Sequence, residues 1–261
     1  MKVSIVTVTF NNYKNLRLTI NSILSLSSIS DIQLIIVNGG SCLKTLNYLK
    51  NIKKNKNFLI INEKDKGIYH AMNKGIKKSK GDFLIFLNAG DFFIGKLSLK
   101  NMLSFMNSKN YGYYGICRVK GNFRSWNIPS SIEGISSSLR NVPVHQSMFF
   151  PRNFYKKNFF DINFKIASDY DYKLRLFREN IVKFIPKLIT QHNLGGVSST
   201  YSANNFKVIS KELFLIDLKY NRFFYLLLNQ VSLFIKFILF NMNLNSFLEK
   251  LINFRYNKKF I

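Results

Sequence analysis

Carboxylates are scarce in this chain, with 13 acids against 39 Lys and Arg among 261 residues. An acid at the end of an element is therefore more informative than usual, and two stand out. Asp91 closes GDFLIFLNAGD, where a short apolar strand over 83–87 runs into Asn88-Ala89-Gly90 and stops on an acid. A turn accounts for the Asn and the Gly but not for the carboxylate, which could be loop decoration or the centre of a site. Asp169 lies in Ser168-Asp169-Tyr170-Asp171, which opens a helix with Tyr170, Leu174 and Phe177 on its inner face. Taken alone, that segment reads as first-turn acids complementing the helix dipole, with Ser168 as cap. The three histidines are His70, His145 (beside Gln146) and His192, which precedes Gly195-Gly196-Val197-Ser198.

The elements that must position these groups follow from hydrophobic period. VSIVTVTF (3–10), DIQLIIV (31–37), NFLII (57–61) and FLIFL (83–87) are apolar strand runs. Between them, Leu16, Ile20, Ile23 and Leu24, then residues 42–53, then Ile68, Ala71, Met72, Gly75 and Ile76 recur at helical spacing. Strands alternating with helices imply an α/β layer with a mostly parallel sheet. A helix over about 97–107, a strand over 111–119 with a hairpin turn at GNFRSWN, a strand over 144–150, a helix over 169–180 and a strand over 182–189, kinked at Pro186, are expected next. Ligands bind at the carboxyl ends of such strands. The four loops there are Thr9-Phe10-Asn11-Asn12, Asn38-Gly39-Gly40-Ser41, Glu63-Lys64-Asp65-Lys66-Gly67 and Asn88-Ala89-Gly90-Asp91. Two of the four carry acids.

SIVTVTFNN, LIIVNGGS, EKDKGIYHAMNKGI, FLNAGD and ASDYDYKLRL occur in that order over residues 1–200. Together they resemble a family-2 glycosyltransferase of the GT-A fold, closest to bacterial enzymes of capsule, O-chain or exopolysaccharide synthesis. The resemblance implies inverting transfer from a nucleotide-diphosphate sugar, a UDP-sugar first, to a saccharide or lipid-linked acceptor. It implies a nucleotide-sugar site built from Thr9, Phe10, Asn11, Asn38, Asp65, Gly67, Asn88, Ala89 and Gly90. The departing diphosphate gathers negative charge, which a divalent cation, Mn²⁺ or Mg²⁺, neutralises as a Lewis acid. Asp91 matches the last acid of the family's Asp-x-Asp-like element, whose earlier acids are here Asn88 and Gly90. His192 is a second candidate ligand. Asp169 matches the general base that takes the acceptor proton, with Ser168 where many relatives carry Glu. His145, Gln146 and Asp171 fall on the acceptor side, Asn38 replaces a base-contacting Asp, and His70 replaces an Asp common at that position.

Residues 1–202 form the expected catalytic domain and 203–261 a basic, aromatic, helical tail. From Arg222 to Asn243, polar residues Arg222, Asn229, Ser232, Lys236 and Asn243 make a narrow stripe on an apolar helix. A spanning helix would place Lys236 near mid-bilayer at a cost of about 2.5–3.5 kcal/mol. An interfacial helix avoids that cost and gains from anionic lipid, whereas packing on the catalytic domain or a partner subunit is equally compatible with the pattern. The first alternative implies a cytoplasmic enzyme at the inner face of the cytoplasmic membrane. A net charge of +26 invites a polyanion partner, but the lysines are dispersed and no nucleic-acid-binding signature occurs. The same composition also follows from pervasive Lys, Asn, Ile and Phe usage. A sugar-nucleotide nucleotidyltransferase shares this layered pattern but calls for a Gly-rich phosphate loop where Thr9-Phe10-Asn11-Asn12 stands. The only cysteines, Cys42 and Cys117, form neither a CxxC nor a Cys/His cluster, which suits a reducing compartment.

Overall fold

The computed structural model describes residues 1–27, 29–40, 42–52, 57–128, 143–195 and 202–256. Of the expected features, the segment after Gly195 that includes Gly196-Val197-Ser198 lies outside them. The first half follows the hydrophobic pattern closely. The strands are β1 (Val3–Thr9), β2 (Ile32–Asn38), β3 (Phe58–Asn62) and β4 (Phe83–Phe86). They alternate with α1 (Tyr13–Leu24), α2 (Leu43–Ile52) and α3 (Ile68–Lys78). These strands pair parallel in the order β3-β2-β1-β4. Every residue of β1 is buried, which is why its sequence is a run rather than an alternation: helices cover both faces.

The second half extends the sheet with mixed polarity. It contributes β5 (Phe92–Phe93), α4 (Ser98–Ser104), β6 (Gly112–Lys120), β7 (Ser125–Ile128), β8 (Met148–Pro151), α5 (Arg152–Tyr155), α6 (Ser168–Glu179) and β9 (Val182–Asn193). The full order is β3-β2-β1-β4-β8-β6-β9-β5, with β7 paired to β6. β8 runs antiparallel to β4, and β9 parallel to β6. One core cluster joins Val3, Ile5, Leu16, Ile20, Leu34 and Ile85 on the α1 face of the sheet. A second joins Val6, Val8, Met72, Phe86, Phe150 and Tyr172 beneath α3 and α6.

Three expectations change. The 144–150 segment is a strand only from Met148; His145–Ser147 form one 3₁₀ turn. The last strand runs to Asn193 rather than 189, because its polar end, Gln191-His192-Asn193, still pairs with β6. The irregularity at Pro186 is a register slip: Tyr114 faces Phe184, but Ile116 faces Leu188, as befits a residue with no ladder N–H. The tail forms α7 (Ala203–Lys219), α8 (Phe223–Asn241) and α9 (Asn245–Tyr256).

Gly75 on α3 sits directly on β1: a Cβ there would lie 2.4 Å from Val6 Cγ1 and 2.8 Å from Val6 Cγ2. Both are branches of a stiff side chain in a buried strand, so neither can swing away. Gly75→Ala should therefore destabilise the protein by about 1–3 kcal/mol through overpacking, despite the better helix propensity of alanine. Denaturant unfolding checks this; equal or greater stability would show that α3 can lift off β1 freely.

Candidate active site

The loop after β4 is pinned from three sides. Thr19 of α1, fully buried, donates its hydroxyl to Asp91 O (2.7 Å) and accepts from Gly90 N–H (2.9 Å). Asn193 Nδ2 of β9 donates to Gly90 O at 3.1 Å, and Ala89 N–H donates to Val8 O at 3.1 Å. Gly90 has φ 109°, a region that side chains disfavour. These contacts fix the Asp91 carboxylate in a site where it is only 4% exposed.

Asp91 is not isolated. Its Oδ1 lies 2.6 Å from His192 Nδ1, and its Oδ2 accepts from Gln146 Nε2 at 3.2 Å. Burial pulls the His192 imidazole down, but the hydrogen bond and charge of Asp91 outweigh it and raise the pKa above the ordinary 6.5. Behind this pair, burial, helped by Asp91's charge, pushes the Cys117 thiol up to about 12, so it stays a thiol. The adjacent residue in the same turn, His145, faces the other carboxylate: its Nδ1 is 3.3 Å from Asp169 Oδ2, while its Nε2 is 3.5 Å from Asn88 Nδ2. One dipeptide thus spans Asp91 and Asp169.

Asp169 also receives Lys173 Nζ at 3.2 Å, and the Tyr69 hydroxyl oxygen lies 3.4 Å from its Oδ1. Burial alone would raise its pKa, but Lys173 and His145 overcome this and hold the carboxyl well below the usual range. The first turn of α6 is held in turn by α7. Glu212, 6% exposed, accepts the backbone N–H groups of Lys165, Ile166 and Ala167 at 2.6, 2.9 and 2.8 Å. Tyr69 OH donates to the carbonyl of Ile166 in the same loop. Asp171 departs from expectation: it is 1% exposed and binds Arg175, Lys219 and Tyr220 at 3.0, 2.8 and 2.8 Å. Three donors saturate it, so it fastens α7 to α6 and offers no carboxylate to an acceptor.

The other strand-end loops close on one another. Asn11, at φ 49°, accepts Cys42 N–H through Oδ1 at 2.9 Å. Asp65 Oδ1 accepts Gly67 N–H at 2.9 Å, and its Oδ2 packs so closely on Gly39 that a Cβ there would sit 1.7 Å away. Asn38 is 1% exposed and commits its amide to Gly40 O (2.9 Å), Asn62 Oδ1 (3.2 Å) and Gly40 N–H (3.3 Å). It therefore shapes the loop instead of presenting an edge to a base. His70 Nδ1 accepts Lys66 N–H at 3.3 Å, which is a loop-closing role. Phe10 is 68% exposed at the rim, and Gly67 caps α3 with φ 118°. Thr9 Oγ1 and Asn88 Oδ1 are buried without a hydrogen-bond partner, and such orphans at strand ends call for a polar ligand. A cavity of about 590 Å³ lies elsewhere, lined by residues before β1, β2 and β4, among them Lys2, Asp31 and Gly81; none of these groups lines it.

Among the described residues no three His, Cys, Asp or Glu side chains cluster as a ready-made cation site. The donor set is Asp91 with His192, a hard carboxylate and an imidazole, beside the orphaned Asn88 oxygen. That set fits a Mn²⁺- or Mg²⁺-like ion whose remaining ligands are substrate phosphates and water. Thr19, Tyr69, Lys173 and Glu212 were not among the residues expected at the site. Lys173 was legible as the i+4 partner of Asp169. Glu212 was legible only as a rare acid in a basic tail.

A parallel half-sheet with convergent strand-end loops and two tethered carboxylates defines a nucleotide-sugar transferase fold, and comparison supplies the family. The model of glycosyl transferase family 2 matches residues 4–211. The chain belongs to that family. An uncharacterized glycosyltransferase of Mycobacterium tuberculosis is 30% identical over 184 residues, 66% of this chain and 68% of that protein. A PGL/p-HBAD biosynthesis glycosyltransferase of Mycobacterium bovis is 25% identical over 185 residues, 67% of this chain and 71% of that one. Among solved structures, Staphylococcus aureus TarS 1–349 with UDP-GlcNAc superposes with TM-score 0.68 at 18% identity, covering 84% of this chain and 66% of that one. A Pyrobaculum calidifontis mannosyltransferase with GDP-Man and Mn²⁺ gives TM-score 0.61 at 12% identity, covering 85% and 64%. The chain thus spans about two thirds of these solved structures' length, and the fold is the GT-A fold that they share.

Glu212→Gln keeps the shape but leaves one acceptor for three N–H groups. It should cost about 1–3 kcal/mol and lower kcat more than the donor KM, because the segment leading to Asp169 loosens while the strand-end loops do not. An unchanged kcat would remove α7 from the catalytic apparatus. Asp169, with its depressed pKa, contributes stability that is present above its ordinary value of 3.8 and lost as pH falls through its folded value. The Tm gap between wild type and Asp169→Asn should therefore narrow on acidification; a gap constant to low pH contradicts the pairing of Asp169 with Lys173 and His145.

Proposed function

We propose that the protein is an inverting, metal-assisted glycosyltransferase using a nucleotide-diphosphate sugar, a UDP-sugar first, and a saccharide or lipid-linked saccharide acceptor. The observation that carries this reading is the pairing of two carboxylates, one after a strand and one at a helix start, by one dipeptide, His145 to Asp169 and Gln146 to Asp91. Support comes from the UDP-GlcNAc and GDP-Man complexes of the structural neighbours and from the biosynthetic glycosyltransferases among the relatives. Synthesis of a bacterial surface polysaccharide or glycolipid is the setting that this reading implies.

In the reaction an acceptor hydroxyl attacks the anomeric carbon from the face opposite the leaving group. The new C–O bond forms as the bond to the diphosphate breaks, and the electron pair leaves on the diphosphate. Asp169 takes the hydroxyl proton. Lys173 and His145 keep Asp169 ionised and aimed. A divalent cation held by Asp91 with His192 would supply Lewis-acid neutralisation of the diphosphate. Thr9 and Asn88 offer the buried, unpartnered oxygens toward the donor.

UDP with Mn²⁺ should raise the Tm of the wild type, and Asp91→Asn should abolish that shift. Asp169→Asn should keep the shift while losing about 10²–10⁴-fold in transfer rate, and the product should have the anomeric configuration opposite to the donor's. Retention of configuration, or an Asp169→Asn enzyme of full rate, overturns the mechanism.

A further inference from the structure

The tail is amphipathic in the reverse of the usual sense. On α8, Phe224, Leu227, Val231, Phe234, Ile235 and Ile238 recur at helical spacing and are all exposed, between 38% and 68%. The opposite face carries the polar groups, and these turn inward. Asn229 Nδ2 donates to Asp217 Oδ2 at 2.7 Å and reaches Tyr170 OH at 3.4 Å, while Gln230 Nε2 donates to Ser210 O at 2.9 Å. The neighbouring helices continue the outward apolar surface with Phe214 and Leu218 of α7 and Phe247 and Leu251 of α9. A soluble helix places its apolar stripe against the core; this one displays it.

Charge is sorted as sharply. Between residues 203 and 261 stand nine Lys or Arg and three acids, Glu212, Asp217 and Glu249. All three acids are buried. Glu212 and Glu249 each cap three backbone N–H groups, Glu249 those of Asn122, Phe123 and Arg124 at 2.8, 2.9 and 2.7 Å. Asp217 pairs with Arg222 at 3.3 Å. Lys207, Lys211 and Lys250 remain exposed. Among the described residues of the tail, the surface is thus apolar and cationic without an exposed carboxylate.

We propose that α7, α8 and α9 form a surface that rests on an anionic phospholipid bilayer, with α8 lying in the plane of the interface. Anionic headgroups complement the lysines, and the outer acyl region takes the aromatic and aliphatic side chains. A second copy of this chain is the poorer occupant, because it would bring the same cationic rim and a net charge of +26 against this one. By length and a mean hydropathy of 1.8, α8 could cross a membrane. Its bonds to Asp217 and Ser210 instead tie it to α7, and its contact with Tyr170 ties it to the catalytic domain. Tyr170 follows Asp169, so the inward face of the helix that carries the proposed bilayer surface is anchored one residue from the proposed base. Resting on the glycosyltransferase reading, this makes the acceptor a saccharide presented on a membrane anchor.

Flotation of the full chain with phosphatidylcholine vesicles, with and without phosphatidylglycerol, tests the proposal. The protein should float with the anionic vesicles, not with the neutral ones, and salt should reduce its binding. The double variant Phe224→Glu/Leu227→Glu should stay at the bottom of the gradient, while its melting curve and its donor hydrolysis without vesicles match wild type. Both positions are exposed, so the variant retains its core. Failure to float, equal flotation with neutral vesicles, or a soluble dimer dissolved by the double variant would each overturn it. Because flotation needs no turnover, an inactive protein that still floats condemns the catalytic reading alone.

Discussion

Everything at the site depends on one 3₁₀ turn. His145 and Gln146 are consecutive, yet one side chain reaches the carboxylate that opens α6 and the other the carboxylate that ends β4. Two acids near one another would repel; here each is matched to a different side chain of the same rigid turn, and each has a further partner, Lys173 for Asp169 and His192 for Asp91. The turn enters β8, whose antiparallel pairing with β4 and β6 sets its height above the sheet. Thus the register of a four-residue strand determines the spacing between Asp169 and Asp91, the proposed base and the proposed metal ligand.

The scarcity of acids gives the rest of the molecule its logic. In a chain so basic, a buried carboxylate is a strong local organiser, as Glu212, Glu249 and Asp171 show by gathering three donors each. Glu212 gathers three backbone N–H groups ahead of α6, and Asp171 gathers Arg175, Lys219 and Tyr220 within it. α7 is therefore attached to α6 by buried, charge-assisted bonds on both sides of Asp169, each stronger than a neutral hydrogen bond. Truncating the chain before α7 would leave two of these acids or their donors without partners.

The sequence made the first four strands legible because helices bury them on both faces, so each is a continuous apolar run flanked by a helix of clear period. Their loops could be ordered, and Asp91 and Asp169 singled out, from strand ends and acid scarcity. What stayed hidden were the arrangements set by distant partners. Val144 to Phe150 has the composition of a strand, and only its pairing with β4 and β6 confines the strand to Met148–Pro151. Gln191-His192-Asn193 looks too polar to continue β9, but β6 supplies the ladder. Asp171 reads as a solvated first-turn acid because nothing local announces Lys219 and Tyr220. Asn38 reads as a base contact because its competitor for the same amide, Asn62, belongs to the next strand.

The replacement of neighbouring acids by Asn88 and Gly90 now has a physical account. A cluster of carboxylates binds a cation by brute charge but must be held together against its own repulsion when the cation leaves. Asp91 with His192 avoids that problem, since the raised pKa of the imidazole lets it carry a proton and neutralise the acid. A cation held there as proposed would displace a proton instead of relieving a repulsion, and would depend on phosphate oxygens to complete the shell. In the proposed reaction, such a site would favour metal together with the diphosphate over metal alone. On that proposal one carboxylate would suffice, because the substrate brings the other charges.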